Sequence, residues 1–414
     1  MKNTENKSMP KVKHPILSVG MALIQEWQLL VNLFTTAVFV HYGKELLEDL
    51  GHPLRFAFVL TWLLLTIIFS LFAVVRHAES LAEKLGEPFG TLLLTLAVTS
   101  IEVMIIVSTM STGHGSPTLA RDAMYGVIMI MLNGMVGLTL LIGGLKYKEQ
   151  DYNLQGANSF LAVILPLAVI GLVLPNYTSS SPDHTLTTMQ ASFLVIVSIA
   201  LYGIFLTIQN GRHRAYFRVA RPTVETQNAK RKWKITHEIR SVPYHLILLL
   251  AYMVPLTALT QHLAVPIEFT ISVLGAPVAL AGFLVAFLML APESLGAIRA
   301  ALSNDLQKSV NILLGSVLAT IGLTIPAVLA YGLLFNKTII LGLSPIDVTL
   351  LSLTLVLSTM TFSSSRTNVL LGSVHLLLFF SYLMLNFSTL IDSISMQTVA
   401  LSNPSFSRSF PCLS

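Results

Sequence analysis

Two glutamates lie inside apolar stretches that are long enough to cross a membrane. Glu102 falls within residues 92–110, and Glu293 falls within residues 278–301. A charged side chain near the centre of a bilayer costs at least about 2.5–3.5 kcal/mol, so such residues usually serve a function. A neutral acid that bonds a neighbouring helix would explain one such residue. Two of them, at corresponding places in the two halves of the chain, favour a shared ion site.

Paired carboxylates in a medium of low dielectric can be stabilised in two ways. They can hold a hard cation through oxygen ligands, or they can take up protons, because burial and like-charge repulsion favour the neutral form. Cation and proton then compete for the same oxygens, which is the chemistry of an antiporter. Oxygen ligands without cysteine or clustered histidine favour Ca²⁺ over a softer metal.

The helix faces that carry the two acids differ in character. Three hydroxyl residues share the face of Glu102 at helical spacing; they are Thr95, Thr99 and Thr109. Small residues share the face of Glu293, where they permit close approach of another backbone; they are Gly282, Ala286 and Ala297. The simplest assembly brings these two helices together with their carboxylates facing each other.

The composition predicts an all-α polytopic membrane protein. Of the 414 residues, 54% are hydrophobic and 11% are charged, whereas soluble domains carry about 25% charged residues. Apolar runs near twenty residues predict eleven transmembrane helices. Their approximate spans are 16–40, 55–75, 89–111, 122–144, 158–175, 188–208, 244–262, 271–298, 309–335, 346–363 and 367–390.

The distribution of basic residues predicts the orientation. With a cytoplasmic N-terminus, 20 of the 25 Lys and Arg residues fall on the inner side, as the positive-inside rule requires. The positive charge therefore indicates topology, and not nucleic-acid binding. We expect an integral protein of a bacterial inner membrane, with an uncleaved first helix.

Short matches between the halves indicate an internal repeat. Gly86-Glu-Pro88 and Gly275-Ala-Pro277 precede the two acid helices, and Gly137-Leu-Thr139 matches Gly322-Leu-Thr324 in the helix that follows each. Two sets of five helices must enter the membrane from opposite sides, which makes an inverted repeat.

The predicted organisation has six parts. They are a cytoplasmic tail (1–14), an extra N-terminal helix and loop (15–54), a first repeat (55–208), a basic cytoplasmic linker (209–243), a second repeat (244–390) and a C-terminal tail (391–414).

Several motifs, in order along the chain, resemble the cation/calcium exchanger superfamily, most closely its bacterial calcium/proton antiporters. They are Val75-Arg-His-Ala78, Gly86-Glu-Pro-Phe-Gly90 with Glu102, Ala276-Pro-Val-Ala279 with Pro292-Glu293, Gly315-Ser-Val-Leu-Ala-Thr320 and Arg366-Thr-Asn-Val-Leu370. The resemblance implies two sodium/calcium-exchanger-like repeats of five helices with an extra N-terminal helix, and it implies that Glu102 and Glu293 bind cation or proton. It also implies that Gly315 and Ser316 begin the polar part of the helix paired with the second acid helix, with Gly126 as their counterpart.

The chain departs from the family pattern near both acids. Many members have an asparagine shortly before each acid, where this chain has Val98-Thr-Ser-Ile101 and Leu290-Ala-Pro292. Thr99, Ser100 and the backbone carbonyls around Pro292 are the candidates to replace those ligands. The departure leaves the cation open among Ca²⁺, Na⁺ and K⁺.

The predicted function is exchange of Ca²⁺ for H⁺ by alternating access at Glu102 and Glu293, with Na⁺(K⁺)/H⁺ antiport as the alternative. A cation channel or an intramembrane enzyme is the alternative of another class; the chain has no Gly-x-Ser-x-Gly, His-Glu-x-x-His or Walker A motif. No cofactor, nucleic acid or obligatory protein partner is expected. The predicted partners are inorganic cations, protons and the lipid bilayer.

Overall fold

The computed structural model describes residues 26–85, 89–111, 117–178, 185–218, 241–273 and 278–402, which form eleven helices. Those before the linker are α1 (Trp27–Glu48), α2 (Pro53–Leu85), α3 (Phe89–Ser111), α4 (Leu119–Tyr147), α5 (Leu154–Tyr177) and α6 (Thr188–Asn210). Those after it are α7 (Val242–Ser272), α8 (Val278–Leu302), α9 (Leu306–Phe335), α10 (Pro345–Thr361) and α11 (Val369–Ser402). A short strand β1 (Gln150–Asp151) pairs antiparallel with β2 (Arg366–Thr367) and joins the loops that follow α4 and α10.

The predicted all-α membrane fold with eleven helices is confirmed. Eight described helices are long and apolar enough to cross a membrane, namely α2, α4 to α9 and α11. Residues Thr99–Ser111 within α3, and α10, form shorter apolar helical stretches. With α1 set apart, α2–α6 and α7–α11 are the two five-helix repeats.

Several predicted boundaries were wrong; α2 ends at Leu85 and not at 75, and α11 ends at Ser402 and not at 390. The first span was expected at 16–40; α1 covers Trp27–Glu48 and so ends later than predicted, while residues 16–25 lie outside the described ranges. Helix α7 continues past the predicted end at 262, through Pro255 and Pro266, to Ser272. A proline removes only one backbone donor, so a membrane helix can continue when its neighbours support it. The next described helix accordingly starts at Val278, later than the predicted 271.

Helices α4 and α9 occupy the centre of the bundle. They are the most buried of the eight candidate spans, at 78% and 72%. Each contains a π-helical segment, Met129–Met135 in α4 and Thr320–Thr324 in α9. Such segments are rare and frequently occur at functional sites. Each of these two segments lies in the helix that follows an acid helix, so the two occupy corresponding places in the two repeats.

The small-residue face of α8 packs chiefly against α4, and only weakly against α3 as the simplest assembly had assumed. A Cβ atom added at Gly282 would lie 2.6 Å from the Asp122 backbone carbon. One added at Gly126 would lie 3.2 Å from the Cβ of Ala286. The predicted close approach of a second backbone to this face is therefore confirmed, with α4 as the partner.

Candidate functional site

Both predicted acids line one cavity. Glu102 of α3 and Glu293 of α8 line the same space, whose volume is about 300 Å³. The Glu102 residue is only 6% exposed. The acids come from different repeats, so the arrangement places one carboxylate from each half of the chain at a common site.

Helix α9 supplies a hydroxyl group to each acid. Ser316 donates a hydrogen bond to Oε2 of Glu293. Thr320 donates one to Oε2 of Glu102 at 3.0 Å. Residues four apart lie on the same face of a helix, so one face of α9 contacts both carboxylates.

Among the described residues, Oε1 of Glu102 forms no hydrogen bond of normal geometry. The hydroxyl of Thr324, one helical turn beyond Thr320, lies close enough to interact with this acid but does not reach that geometry either. Buried side-chain oxygens almost always have a partner, and leaving one unsatisfied costs roughly 1–3 kcal/mol or more. The free carboxylate oxygen therefore has the capacity to bind a cation or a proton.

The remaining predicted ligands divide into three groups. Thr99, Pro292 and Ser316 line the cavity with the acids. Ser100 does not belong to this set, because it lies two residues from Glu102, about 200° around the helix, and it is exposed on the outside of α3. The side chain of Thr95 lies outside the described part of the structure.

Sequence reasoning missed Thr320 as a functional candidate, although the residue was within a quoted motif. The signal was available, since Ser316, Thr320 and Thr324 recur every four residues and so share a face. What the sequence did not reveal was that this face meets an acid of the other repeat.

The cavity extends from the acids towards the linker face of the protein, meaning the face at which α6 ends and α7 begins. Its outer lining includes residues near helix ends on that face, namely Glu79, Gln209, Asn210, Lys308 and Asn311. The carboxyl-bearing residue Glu79 of α2 is part of this lining. We refer to this part of the cavity as the vestibule.

The opposite face is closed by direct packing. Gly282 of α8 sits against Asp122 near the start of α4, and Asp122 is only 7% exposed. Arg121 binds Asp122 at 2.8 Å and also donates to the carbonyl of Gly342 at 2.9 Å, which ties the loop after α9 to the same place. Among the described residues, the cavity that contains both acids therefore extends towards the linker face, while α4 and α8 pack directly against each other on the opposite side.

The donor set at the site consists of oxygen atoms. Among the described residues, no three His, Cys, Asp or Glu side chains converge in the way that a typical resident metal site requires. Two carboxylates with Ser316 and Thr320 hydroxyls suit a hard cation that is held and then released.

Comparison with known proteins finds a matching family and related chains. Residues 55–210 and 244–388 match the family described as sodium/calcium exchanger protein. The chain is 40% identical to the sodium-potassium/proton antiporter ChaA of Escherichia coli, over 72% of this chain and 81% of that one. It is 38% identical to the putative ionic transporter y4hA of Sinorhizobium fredii, over 72% and 80% of the two chains.

The fold also matches a solved structure. Native YfkE superposes with a TM-score of 0.65, covering 88% of this chain and 99% of that one, at 18% sequence identity. At that identity the likeness concerns the fold alone.

Proposed function

This chain belongs to the sodium/calcium exchanger family, whose members are transporters, and on that premise we propose that it exchanges Ca²⁺ for protons at Glu102 and Glu293. The observation that carries the proposal is that Glu102, whose Oε1 is buried and forms no hydrogen bond of normal geometry among the described residues, shares a cavity with Glu293. That oxygen needs either a cation or a proton, so each ion displaces the other.

Charge balance favours a divalent cation. Two carboxylates loaded with Ca²⁺ are neutral, and two carboxylates loaded with two protons are neutral as well. Either state can be enclosed in a low dielectric without the large penalty of burying net charge. The empty site, with two facing carboxylates, cannot be enclosed in this way. This difference couples the inward movement of one ion to the outward movement of the other.

Alternating access requires that the closed face open while the vestibule closes. The contact of Gly282 with Asp122 is the seal that would have to separate. Ser316 of α9 contacts Glu293 of α8, and Thr320 of α9 contacts Glu102 of α3, so movement of α9 relative to α3 and α8 would change both carboxylates together.

Na⁺(K⁺)/H⁺ antiport is the second candidate, and two observations favour it. The relative at 40% identity is named a sodium-potassium/proton antiporter. The missing asparagines near both acids also leave the site with few neutral oxygens, whereas Ca²⁺ takes about 6–8 ligands.

Proteoliposomes with an imposed proton gradient separate the two candidates. We expect Ca²⁺ added to the outside to dissipate the gradient in the absence of Na⁺ and K⁺. A response to Na⁺ or K⁺ with none to Ca²⁺ would establish the monovalent alternative. A cation conductance without any counter-flux of protons would point to a channel and overturn both.

We further propose that the linker face is cytoplasmic, in a bacterial inner membrane, as the positive-inside bias indicates. Eleven spans then place the C-terminal tail, with the single cysteine Cys412, on the outer side. A membrane-impermeant maleimide should label Cys412 in cells whose outer membrane has been made permeable. Labelling only after lysis of the inner membrane would reverse the orientation. The six-part organisation of the chain and the lack of an obligatory partner also stand as proposals.

A further inference from the structure

A buried ion pair lies where α4 meets α8, on the face opposite the vestibule. Asp122 of α4 is 7% exposed. Nε of Arg121 donates to its Oδ1 at 2.8 Å, and the hydroxyl of Thr118 donates to its Oδ2 at 2.9 Å. Among the described residues, Arg121 is the one basic side chain that pairs with this carboxylate. Neither member of the pair lines the cavity of the two glutamates.

Helix α8 covers this carboxylate with its backbone. A Cβ atom added at Gly282 would lie 2.6 Å from both the backbone carbon and the Cβ of Asp122, so the two helices touch at the charged residue itself. The burial of Asp122 depends on this contact. If α8 moved away from the start of α4, water would reach the carboxylate.

The hydrogen bonds of Arg121 lie on the α4 side of the contact. Besides its bond to Asp122, Nη1 of Arg121 donates to the carbonyl of Gly342 at 2.9 Å, in the loop between α9 and α10. The backbone N–H of the next residue, Leu343, donates to the carbonyl of Leu172 in α5 at 2.9 Å. Among the described residues, the pair is therefore anchored to α4 and to a loop held by α5. Movement of α8 alone would expose the pair without breaking it.

The charges at this place explain what Arg121 contributes. Asp347, near the start of α10, is a second carboxylate that lies close enough to repel Asp122. With Arg121 in place, the Asp122 charge is neutralised and α8 can enclose it. Without Arg121, the same contact would bury an uncompensated carboxylate, which is strongly unfavourable. A carboxylate exposed to water carries no such penalty, so the loss of Arg121 would favour separation of α8 from α4.

We propose that Arg121 is a positioning residue of the exchange cycle, which stabilises the state in which α8 covers Asp122 against the state in which the two helices separate. The pair thereby keeps the glutamates in contact with the vestibule when no ion drives the change. An interaction made in only one of two states shifts the equilibrium towards that state. This inference rests on the alternating access proposed above, but the equilibrium can be measured without any ion flux.

Two single-cysteine probes report the two states in the purified full-length protein. Each is introduced together with Cys412→Ser, which removes the one native cysteine. Met289 is 7% exposed and does not line the vestibule; it shares the face of Gly282 on α8, because seven residues make nearly two helical turns. Ile312 of α9 lines the vestibule. The rates at which a soluble maleimide modifies Met289→Cys and Ile312→Cys then measure the separation of α8 and the openness of the vestibule.

Replacing Arg121 should change the two rates in opposite directions. We expect Arg121→Gln to raise the rate at Met289→Cys, to lower it at Ile312→Cys, and to change their ratio at least about tenfold, because a buried charge that loses its partner is strongly disfavoured. Arg121→Lys keeps the positive charge, and the double variant Arg121→Gln/Asp122→Asn removes both charges, so each should restore most of the parent ratio. Lys337→Gln removes an exposed positive charge from the loop after α9 and should leave both rates unchanged.

The pattern of the two rates separates this role from a loss of packing. A general loosening would raise both rates in Arg121→Gln and would overturn the proposal, as would unchanged rates or a double variant that labels like Arg121→Gln. If Arg121→Gln alone does not fold, the double variant must fold and label like the parent protein; failure of both would also overturn the proposal. Absence of calcium exchange in proteoliposomes would contradict the proposed function and leave the labelling result intact.

Discussion

Replacing Thr320 with valine removes a hydroxyl that donates to Oε2 of Glu102 at 3.0 Å, while nearly preserving the shape of the side chain. A hydrogen bond to a charged group contributes about 1.5–3 kcal/mol, which corresponds to roughly 10- to 150-fold in an equilibrium constant. The protonated acid depends less on this donor than the carboxylate does. We therefore expect Thr320→Val to weaken cation binding relative to proton binding by an amount in this range.

The assay is the cation concentration that gives half-maximal exchange in proteoliposomes at fixed pH. Thr349→Val is the matched control, because Thr349 is exposed on α10 and its hydroxyl bonds only the carbonyl of Pro345, at 2.9 Å. The half-maximal concentration should rise at least about tenfold in Thr320→Val and stay unchanged in Thr349→Val. Equal values in both variants would refute the claim that α9 stabilises the charged form of Glu102.

Three further substitutions test the seal, the packing and the vestibule. Gly282→Ala would drive a methyl group into the Asp122 backbone, so we expect a loss of about 1–3 kcal/mol in stability and slower exchange, with apparent cation affinity little changed. His375→Leu leaves Oδ1 of Asn133 without its 3.3 Å partner; thermal stability in detergent should fall by about 1–3 kcal/mol, and cation selectivity should not change. Lys308→Gln removes a positive charge from the vestibule; initial cation uptake should quicken at low ionic strength, and the gain should vanish near 1 M salt, where screening acts within about 3 Å.

Each of these has a control in the same chain. Gly203→Ala adds a methyl group where nothing lies within 4 Å, so a loss equal to that of Gly282→Ala would contradict the packing argument. His375→Gln can still bond Asn133 and should recover part of the stability. The control for Lys308→Gln is Lys337→Gln, because Lys337 is exposed in the loop after α9 and does not line the vestibule. Lys337→Gln should not alter uptake. If it accelerated uptake as much as Lys308→Gln, the net charge of the protein alone would be responsible.

The sequence predicted the fold and the two acids because both depend on local properties. Apolar length determines which segments can cross a membrane, and a glutamate such as Glu102 stands out against that background. The repeat was visible for the same reason, since its glycines and prolines recur at matching places.

The features that the sequence did not predict depend on which face each helix turns towards its neighbours. Helical spacing groups Ser316 with Thr320 on one face of α9 but does not say that this face reaches Glu102. The wrong prediction of Ser100 as a ligand has the same cause. Ser100 is close to Glu102 in sequence, but its side chain is exposed on the outside of α3. The continuation of α7 through Pro266 depends on support from packed neighbours, which a hydropathy pattern does not contain.

Proton release during cation binding tests the paired-acid site most directly. Purified protein in weakly buffered detergent solution is mixed with Ca²⁺, and the protons released per bound ion are counted. We predict release by the unaltered protein and by Glu149→Gln, whose glutamate is exposed and pairs with Arg366 at 3.2 Å. Release should be lost or strongly reduced in Glu102→Gln and in Glu293→Gln. Undiminished release in both of those variants would contradict competition between cation and proton at these two carboxylates.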